Sequence, residues 1–148
     1  MVGEQGWFTK LDIEQYASEL IKSGKLMYHL GYVPDETIPL YFSATDLVIL
    51  PYREEFRGTS GVLQLASAYN IPVIASNVGQ SGLIIEEHKL GLLSEPNPGE
   101  IAEKIDEYFA LDLKTINFFK INGKKYSSIT STNVMCDKIK AAYQKRVG

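Results

Sequence analysis

The sequence predicts an α/β fold: a doubly wound parallel sheet flanked by helices. Two short aliphatic runs, 46–51 and 71–76, have the composition of strands that are covered on both faces. A helical segment, 60–69, lies between them, and further amphipathic segments precede and follow this pair. Parallel strands that alternate with helices are joined by right-handed crossovers, and their ligands bind beyond the carboxyl ends of the strands. Candidate functional residues are therefore expected in the loops after the strands.

The first part of the chain is predicted to run helix, strand, helix. Apolar residues in 11–23 recur at helical spacing, and Gly24 suits the position just past a helix end. The mostly apolar run 26–30 indicates a short strand. Asp35 offers an amino-terminal cap for a second helix that continues to about Ala44.

The middle of the chain is predicted to run strand, loop, helix, strand. Four consecutive aliphatic residues before Pro51 are typical of a central strand, and a loop over 52–59 follows. Ser60 is a candidate cap for the helix 60–69, and 71–76 is rich in β-branched residues, as buried strands are. A brief last strand is expected at 91–93.

Helices are predicted for the remainder of the chain. Asn97, Pro98 and Glu100 supply a cap, a first-turn proline and a glutamate at the third helical position. Two more helices are expected over about 113–122 and 133–145, the last with an apolar side formed by Met135, Ile139, Ala142 and Tyr143. We expect core positions for the aromatic residues Tyr108, Phe109, Phe118 and Phe119.

Composition excludes several classes of function. The 148 residues carry 15 Lys and Arg against 18 Asp and Glu, a net charge of −3, which lacks the basic surplus of a nucleic-acid-binding surface. Cys136 is the only cysteine, and with His29 and His88 it cannot form a zinc-binding pattern. No metal site or catalytic histidine is expected. A single cysteine and the lack of an 18-residue apolar stretch favour a cytoplasmic protein, with peripheral membrane association left open.

The turn at residues 57–62, Arg-Gly-Thr-Ser-Gly-Val, carries most of the chemical information. It links a buried strand to a helix, and its small residues allow a ligand to approach the free amides at the helix start. Such a turn can hold a phosphate. The alternative is a purely structural turn in which Ser60 only caps the helix. The turn lacks the lysine of a P-loop and the spacing of a dinucleotide-binding fingerprint, so neither ATP hydrolysis nor NAD binding is supported.

Several motifs in order resemble glycosyltransferase family 4 (glycosyl transferase group 1), over roughly residues 26–108. Segments 31–34 and 38–51 are similar to the family pattern "G-x-V-P … L-P-x-L-Y-x-x-A-D-v-x-v-l-P". Segments 60–66 and 71–79 are similar to the subgroup pattern "Q-S-G-V-x-Q-x-A … P-V-I-A-T-x-V-G-G". Segments 91–93 and 98–105 resemble the family's closing motif.

This resemblance implies the carboxyl-terminal, nucleotide-sugar-binding half of a retaining GT-B enzyme, with a Rossmann-like fold over 1–148 and 112–148 as terminal helices. The implied reaction moves a sugar from a nucleotide diphosphate, of UDP or GDP type, to an acceptor hydroxyl, without a cofactor or an obvious need for a metal. The loop after the second strand would lie near the base, and the 57–62 turn near the sugar and diphosphate. The implied donor-binding residues are Tyr32, Val33, Pro34, Glu55, Arg57, Gly58, Thr59, Ser60, Gly61 and Val62.

The sequence departs from the family at two glutamates that contact donor sugar and ribose in many members. Those positions correspond to Arg57 and Leu65 here, and a leucine cannot accept a ribose hydrogen bond. Glu54 or Glu55 could replace the first glutamate, or both could be solvated loop residues. Arg57 could pair with a donor phosphate or be a surface arginine beside these acids. The family's second glycine and the acidic residue that follows it are also replaced here. Gly79, the first glycine of that motif, is present and could still form the turn.

The resemblance also implies that the front of the domain is missing. The family's opening strand, glycine loop and Arg/Lys pair have no counterpart here, and residues 1–4 resemble the end of its second strand. An amino-terminal domain would bind the acceptor, a glycan or lipid-linked sugar. We therefore expect little catalysis from this polypeptide alone, and self-association through the exposed sheet edge.

Two alternative functions remain at this stage. A non-catalytic doubly wound module could use the glycine turn to bind a small anion or nucleotide, because this architecture does not define function. Half of a nucleotide-sugar epimerase could share the GT-B architecture, but no acid/base cluster supports that chemistry.

Overall fold

The computed structural model describes residues 2, 3 and 9–147, and the chain forms two compact units, 1–41 and 42–148. The strands are β1 (Val2–Gly3), β2 (His29–Leu30), β3 (Val48–Leu50), β4 (Val73–Ser76) and β5 (Gly91–Ser94). The helices are α1 (Lys10–Lys22), α2 (Ile38–Ser43), α3 (Gly61–Ala68), α4 (Gly79–His88), α5 (Pro98–Ala110), α6 (Leu113–Thr130) and α7 (Thr132–Val147). Every described strand pair is parallel, so the predicted α/β class with a parallel sheet and flanking helices is confirmed. The assignment of 1–148 to one domain stays a prediction.

In the first unit, β1 pairs with β2, and α1 begins with a reciprocal cap. The Asp12 amide donates to Thr9 Oγ1 (3.3 Å), and the Thr9 amide donates to Asp12 Oδ2 (2.8 Å). The Thr9 amide and, at 2.7 Å, the Thr9 hydroxyl both donate to the Asp12 carboxylate and lower the pKa of that carboxyl. The helix then ends before Gly24, which has a positive φ of 70°. The helix predicted at 11–23 is therefore confirmed.

Two other predictions for this unit need correction. The strand expected over 26–30 is limited to His29 and Leu30. Asp35 does not cap a helix through its side chain: it begins a 3-10 turn, Asp35–Thr37, whose closing hydrogen bonds run from Thr37 to the Pro34 carbonyl. The α-helix starts only afterwards, at Ile38.

In the second unit, β4 is the central strand of a sheet ordered β3-β4-β5. Its four residues are all buried, whereas Ile49 of β3 is 40% exposed. The prediction that 46–51 forms a central strand is therefore wrong, since β3 lies at the edge of this described sheet. A run of aliphatic residues shows that a strand is apolar but not which neighbours it has.

The core of this unit lies between the sheet and helices α3, α4 and α6. Its fully buried side chains include Leu63 of α3, Ile85 of α4 and Leu90. Helix α6 approaches α3 closely at Gly123, where an added Cβ would lie 3.6 Å from the Ser67 backbone. Helix α5 packs on β4 and β5, and its Tyr108 hydroxyl donates to the Asp46 carbonyl (3.3 Å). Burial, and then the nearby Asp46 carboxylate, raise the pKa of Tyr108.

Several predicted helices differ from those observed. No helix was predicted between 76 and 91, but α4 lies there: it has no side-chain cap at Val78 and starts at a glycine with φ of 56°. Helix α6 continues to Thr130, well past the predicted end at 122. Of the four aromatic residues expected in the core, Tyr108 and Phe119 are buried, but Phe109 and Phe118 are exposed. Across residues 2, 3 and 9–147, we find no helix with the length and hydropathy to span a bilayer.

Candidate functional site

The candidate site is the loop from Pro51 to Ser60, which leaves the carboxyl end of β3 and enters α3. Ser60 caps that helix, as predicted: its Oγ accepts a hydrogen bond from the Leu63 amide (3.2 Å). The side chain is buried, at 4% exposure. The loop therefore has a fixed end at the helix start.

The first amides of α3 remain available to a ligand. The amides at the start of a helix lack intrahelical partners, and Ser60 satisfies the Leu63 amide. Within the described part of the chain, no hydrogen-bond acceptor lies opposite the amides of Gly61 and Val62. The space where a Gly61 side chain would begin is also open, with no atom within 4 Å. This arrangement favours an anion, because the partial positive charge of a helix start adds to the two donors.

The loop is held from inside by two aromatic residues. Tyr52 and Phe56 stack with ring centroids 4.0 Å apart, and the Tyr52 hydroxyl lies 2.6 Å from Ser60 Oγ. Tyr52, near the start of the loop, is thus hydrogen-bonded to Ser60, the cap of α3. The start and end of the loop are joined without help from a ligand.

The loop also rests on the first turn of α4. Gly79 approaches the loop so closely that a Cβ would lie 2.6 Å from the Phe56 carbonyl oxygen and 3.0 Å from Arg57 Cα. The buried Ser81 hydroxyl lies 3.4 Å from the Gly58 carbonyl oxygen. Position 79 therefore requires glycine for two reasons: the loop backbone lies too close for a side chain, and φ is positive.

The charged residues of the loop are exposed to solvent. Glu55, Arg57, Gly58 and Thr59 are all exposed. A guanidinium N–H of Arg57 donates to the Glu54 backbone carbonyl. This bond holds the cation beside the turn and leaves its other donors for a ligand. Leu65, at the second family glutamate position, is half-buried on α3.

The other predicted site residues belong to the first unit. Tyr32, Val33 and Pro34 follow β2; Tyr32 is 69% exposed and the other two are half-buried. The Pro34 carbonyl accepts hydrogen bonds from the Thr37 amide (2.9 Å) and hydroxyl (2.8 Å), which fixes the turn after this segment. The structure therefore brings 55–62 together in the loop and the first two residues of α3, and it places 32–34 in a separate loop.

Sequence reasoning missed a polar network behind the site. The Gln64 amide Nε2 on α3 donates to the Tyr126 hydroxyl on α6 (2.7 Å), and the Thr130 hydroxyl lies 3.1 Å from Gln64 Oε1. The Tyr126 ring also lies 4.7 Å from the His88 ring, between centroids. These partners are far apart in sequence, so no local pattern could have indicated them. Among the described residues, His, Cys, Asp and Glu form no group of three that could hold a metal ion.

The fold and the loop together define a class: an α/β domain with a parallel sheet in which a glycine-containing turn leads from a strand into a helix. Residues 1–110 match the family described as Glycosyl transferases group 1. This chain belongs to that family, and the predicted membership is confirmed.

Similar proteins support the same assignment. An uncharacterized 41.2 kDa protein in the cps region of Klebsiella pneumoniae is 34% identical over 107 residues, which is 72% of this chain and 27% of that protein. Sucrose-phosphate synthase from Thermosynechococcus elongatus superposes with a TM-score of 0.76 at 23% identity, over 99% of this chain and 37% of that one. WaaG, described as a glycosyltransferase involved in lipopolysaccharide biosynthesis, superposes with a TM-score of 0.69 at 16% identity, over 88% and 33%.

The two superpositions establish the fold, because their sequence identities are low. The chain spans only about a third of either structure, and 27% of the Klebsiella protein. It is therefore a glycosyltransferase domain that corresponds to part of each larger protein.

Proposed function

We propose that this chain is the donor-binding half of a retaining glycosyltransferase that moves a sugar from a nucleotide diphosphate to an acceptor hydroxyl. Membership in Glycosyl transferases group 1 supports sugar transfer. The observation that carries the donor-binding role is the open helix start at Gly61 and Val62. We name residues 57–62 the donor turn.

The donor turn suits the diphosphate of a nucleotide sugar. During transfer, the bond between the sugar C1 and the diphosphate oxygen breaks, and a bond from C1 to the acceptor oxygen forms with the same configuration. Negative charge develops on the departing diphosphate as this bond breaks, and the diphosphate takes up the proton of the acceptor hydroxyl. Two amides at a helix start stabilise such charge without a protein nucleophile, and we propose that the exposed Arg57 guanidinium adds a cation.

The remaining contacts are assigned by the family pattern. We propose that Tyr32, Val33 and Pro34 lie beside the nucleotide base, and that Glu55 accepts hydrogen bonds from hydroxyls of the donor sugar. The base would be uracil or guanine. Leu65 supplies no acceptor for ribose hydroxyls, so the diphosphate contacts provide a larger share of the affinity.

The names of two similar proteins support a proposal for the process. The name of the Klebsiella protein refers to a cps region, and the WaaG title to lipopolysaccharide biosynthesis. Both support synthesis of a polysaccharide or another glycan. The acceptor, a glycan or lipid-linked sugar, would bind to an amino-terminal domain, and this chain alone would transfer little sugar. A cytoplasmic location and self-association through a sheet edge also stay predictions.

Calorimetric titration of the chain at low ionic strength tests the donor role. UDP and GDP are compared with uridine and guanosine, which carry the same base and ribose without the diphosphate. We expect one diphosphate to bind, and its nucleoside to bind at least about 10-fold more weakly, because the amide and guanidinium contacts are lost. Failure of both diphosphates to bind at millimolar concentration would contradict the proposal.

Two further ligands separate the alternatives. Inorganic pyrophosphate that binds as tightly as UDP or GDP would indicate a general anion-binding module, because the base would then add nothing. Conversion of one nucleotide sugar into its epimer without an acceptor would indicate the epimerase alternative.

A further inference from the structure

The strongest unassigned feature beside the donor turn is the hydrogen bond between Tyr52 and Ser60. The two oxygens lie 2.6 Å apart, and the residues are eight positions apart, at opposite ends of the loop. Two groups converge on Ser60 Oγ, the Tyr52 hydroxyl and the Leu63 amide. A serine oxygen has two acceptor lone pairs and can satisfy both at once.

These two contacts select one conformation of the Ser60 side chain. A free serine samples three staggered rotamers, and two partners on one Oγ favour the rotamer that reaches both. Ser60 also accepts at its backbone carbonyl from the Gln64 amide (3.3 Å), so its main chain is tied to α3. The amides of Gly61 and Val62 follow directly and take their direction from this residue.

Tyr52 is itself held in place. Its ring stacks on Phe56, and the Phe56 backbone lies against Gly79 at the start of α4. The Phe56 ring also lies about 3.5 Å from where a Gly58 side chain would begin. Because the Tyr52 ring is constrained in this way, its hydroxyl can fix the position of Ser60 Oγ.

We propose that Tyr52 is a positioning residue for the donor: its hydroxyl holds Ser60, and through it the Gly61 and Val62 amides, in binding geometry before the nucleotide arrives. This inference rests on the proposed function of the donor turn. A ligand that meets an ordered turn does not have to order it, so affinity is gained without any contact to Tyr52.

Tyr52→Phe removes the hydroxyl and keeps the ring stack. Titration of the full chain with UDP and GDP should show roughly 10-fold weaker binding of the preferred nucleotide, which corresponds to one lost hydrogen bond of ordinary strength. Amide hydrogen exchange without ligand should accelerate at Leu63 in this variant, because its amide is bonded to Ser60 Oγ.

Tyr108→Phe is the matched control. It also removes a tyrosine hydroxyl that donates a hydrogen bond in the same unit, but that bond reaches the Asp46 carbonyl, before β3 rather than after it. We expect its nucleotide affinity and its exchange rate at Leu63 to match those of the wild type.

A double-mutant cycle with Ser60→Ala separates positioning from general weakening. If Tyr52 acts through Ser60, Tyr52→Phe should add little loss of affinity once Ser60 is replaced. Equal losses in both backgrounds, or unchanged affinity in Tyr52→Phe while the wild type binds, would overturn the inference alone. Failure of the wild type to bind either nucleotide would instead overturn the proposed function, and this inference with it.

Discussion

Gly61→Asp is the most informative single substitution in this chain, because it should raise stability while it lowers affinity. Gly61 is the first residue of α3, and no atom lies within 4 Å of a Cβ built there. An aspartate therefore fits without a clash. A carboxylate in the first turn of a helix interacts favourably with the helix dipole, by about 0.3–1 kcal/mol. The replacement of glycine adds a further stabilising contribution to the helix.

The same carboxylate should repel a diphosphate on the donor turn. At a separation of about 5 Å and an effective dielectric constant of about 40, each pair of like charges costs about 1.7 kcal/mol. Two phosphate charges then cost about 3.4 kcal/mol, which corresponds to a roughly 300-fold loss of affinity. Loss of binding by unfolding would instead be accompanied by a lower melting temperature.

Calorimetry with UDP and GDP gives the affinity, and thermal unfolding without ligand gives the stability. Leu113→Asp is the matched control: it also adds one negative charge at the first position of a helix, α6, at a side chain that is 78% exposed. Helix α6 places Thr130, its last residue, beside Gln64 near the start of α3, and Gly123 beside Ser67 near the end of α3, so its first residue lies away from the donor turn. Equal nucleotide affinity in Gly61→Asp and wild type would refute the reasoning.

Three further predictions concern stability. Gly123→Ala should raise the free energy of unfolding by about 1 kcal/mol in urea denaturation, since alanine favours the helix and its Cβ would lie at an ordinary 3.6 Å from Ser67; a lower value would contradict this packing. Gly91→Ala should lower it by about 2 kcal/mol or more, because its Cβ would lie 1.8 Å from the Val73 carbonyl oxygen; a urea midpoint equal to the wild type would oppose the strand contact. The Thr115 amide lowers the pKa of Asp112, so the folded state favours the carboxylate and this stabilisation is lost as the pH falls below about 4. Asp112→Asn, which can cap but not ionise, should therefore show a smaller fall in melting temperature between about pH 5 and pH 2; an unchanged fall would exclude this carboxyl as a contributor.

Local signals in the sequence were sufficient for several helix starts, those of α3 and α5 among them. Asn97 caps α5 through a hydrogen bond from the Glu100 amide (2.9 Å), and Ser60 caps α3, both as predicted. These devices act within one helical turn, so the residues that make them are adjacent in the sequence. The ordered series of family motifs has the same property, and family membership was therefore also predictable.

Helix α4 shows where local signals fail. Its first residue is a glycine with a positive φ, and it has no side-chain cap. Both features are typical of a turn rather than of a helix start. The helix forms because Ser81, Gly82 and Ile85 are buried against the rest of the unit. An added Cβ at Gly82 would lie 2.8 Å from Asn77 Oδ1, so the small residue is needed for close packing and not for flexibility. Tertiary contacts override weak local preference at such a site.

The sequence by itself determined the α/β class, the family, the capped helix starts and the position of the donor turn, because each depends on residues close together in the chain. Only the tertiary structure decided that β3 lies at the edge of its sheet, that Gly79 supports the loop, and that Gln64 bonds to Tyr126, 62 positions away. These features depend on which surfaces meet after folding. A side chain's type limits the bonds it can make, but the choice of partner is made by the packing of distant segments.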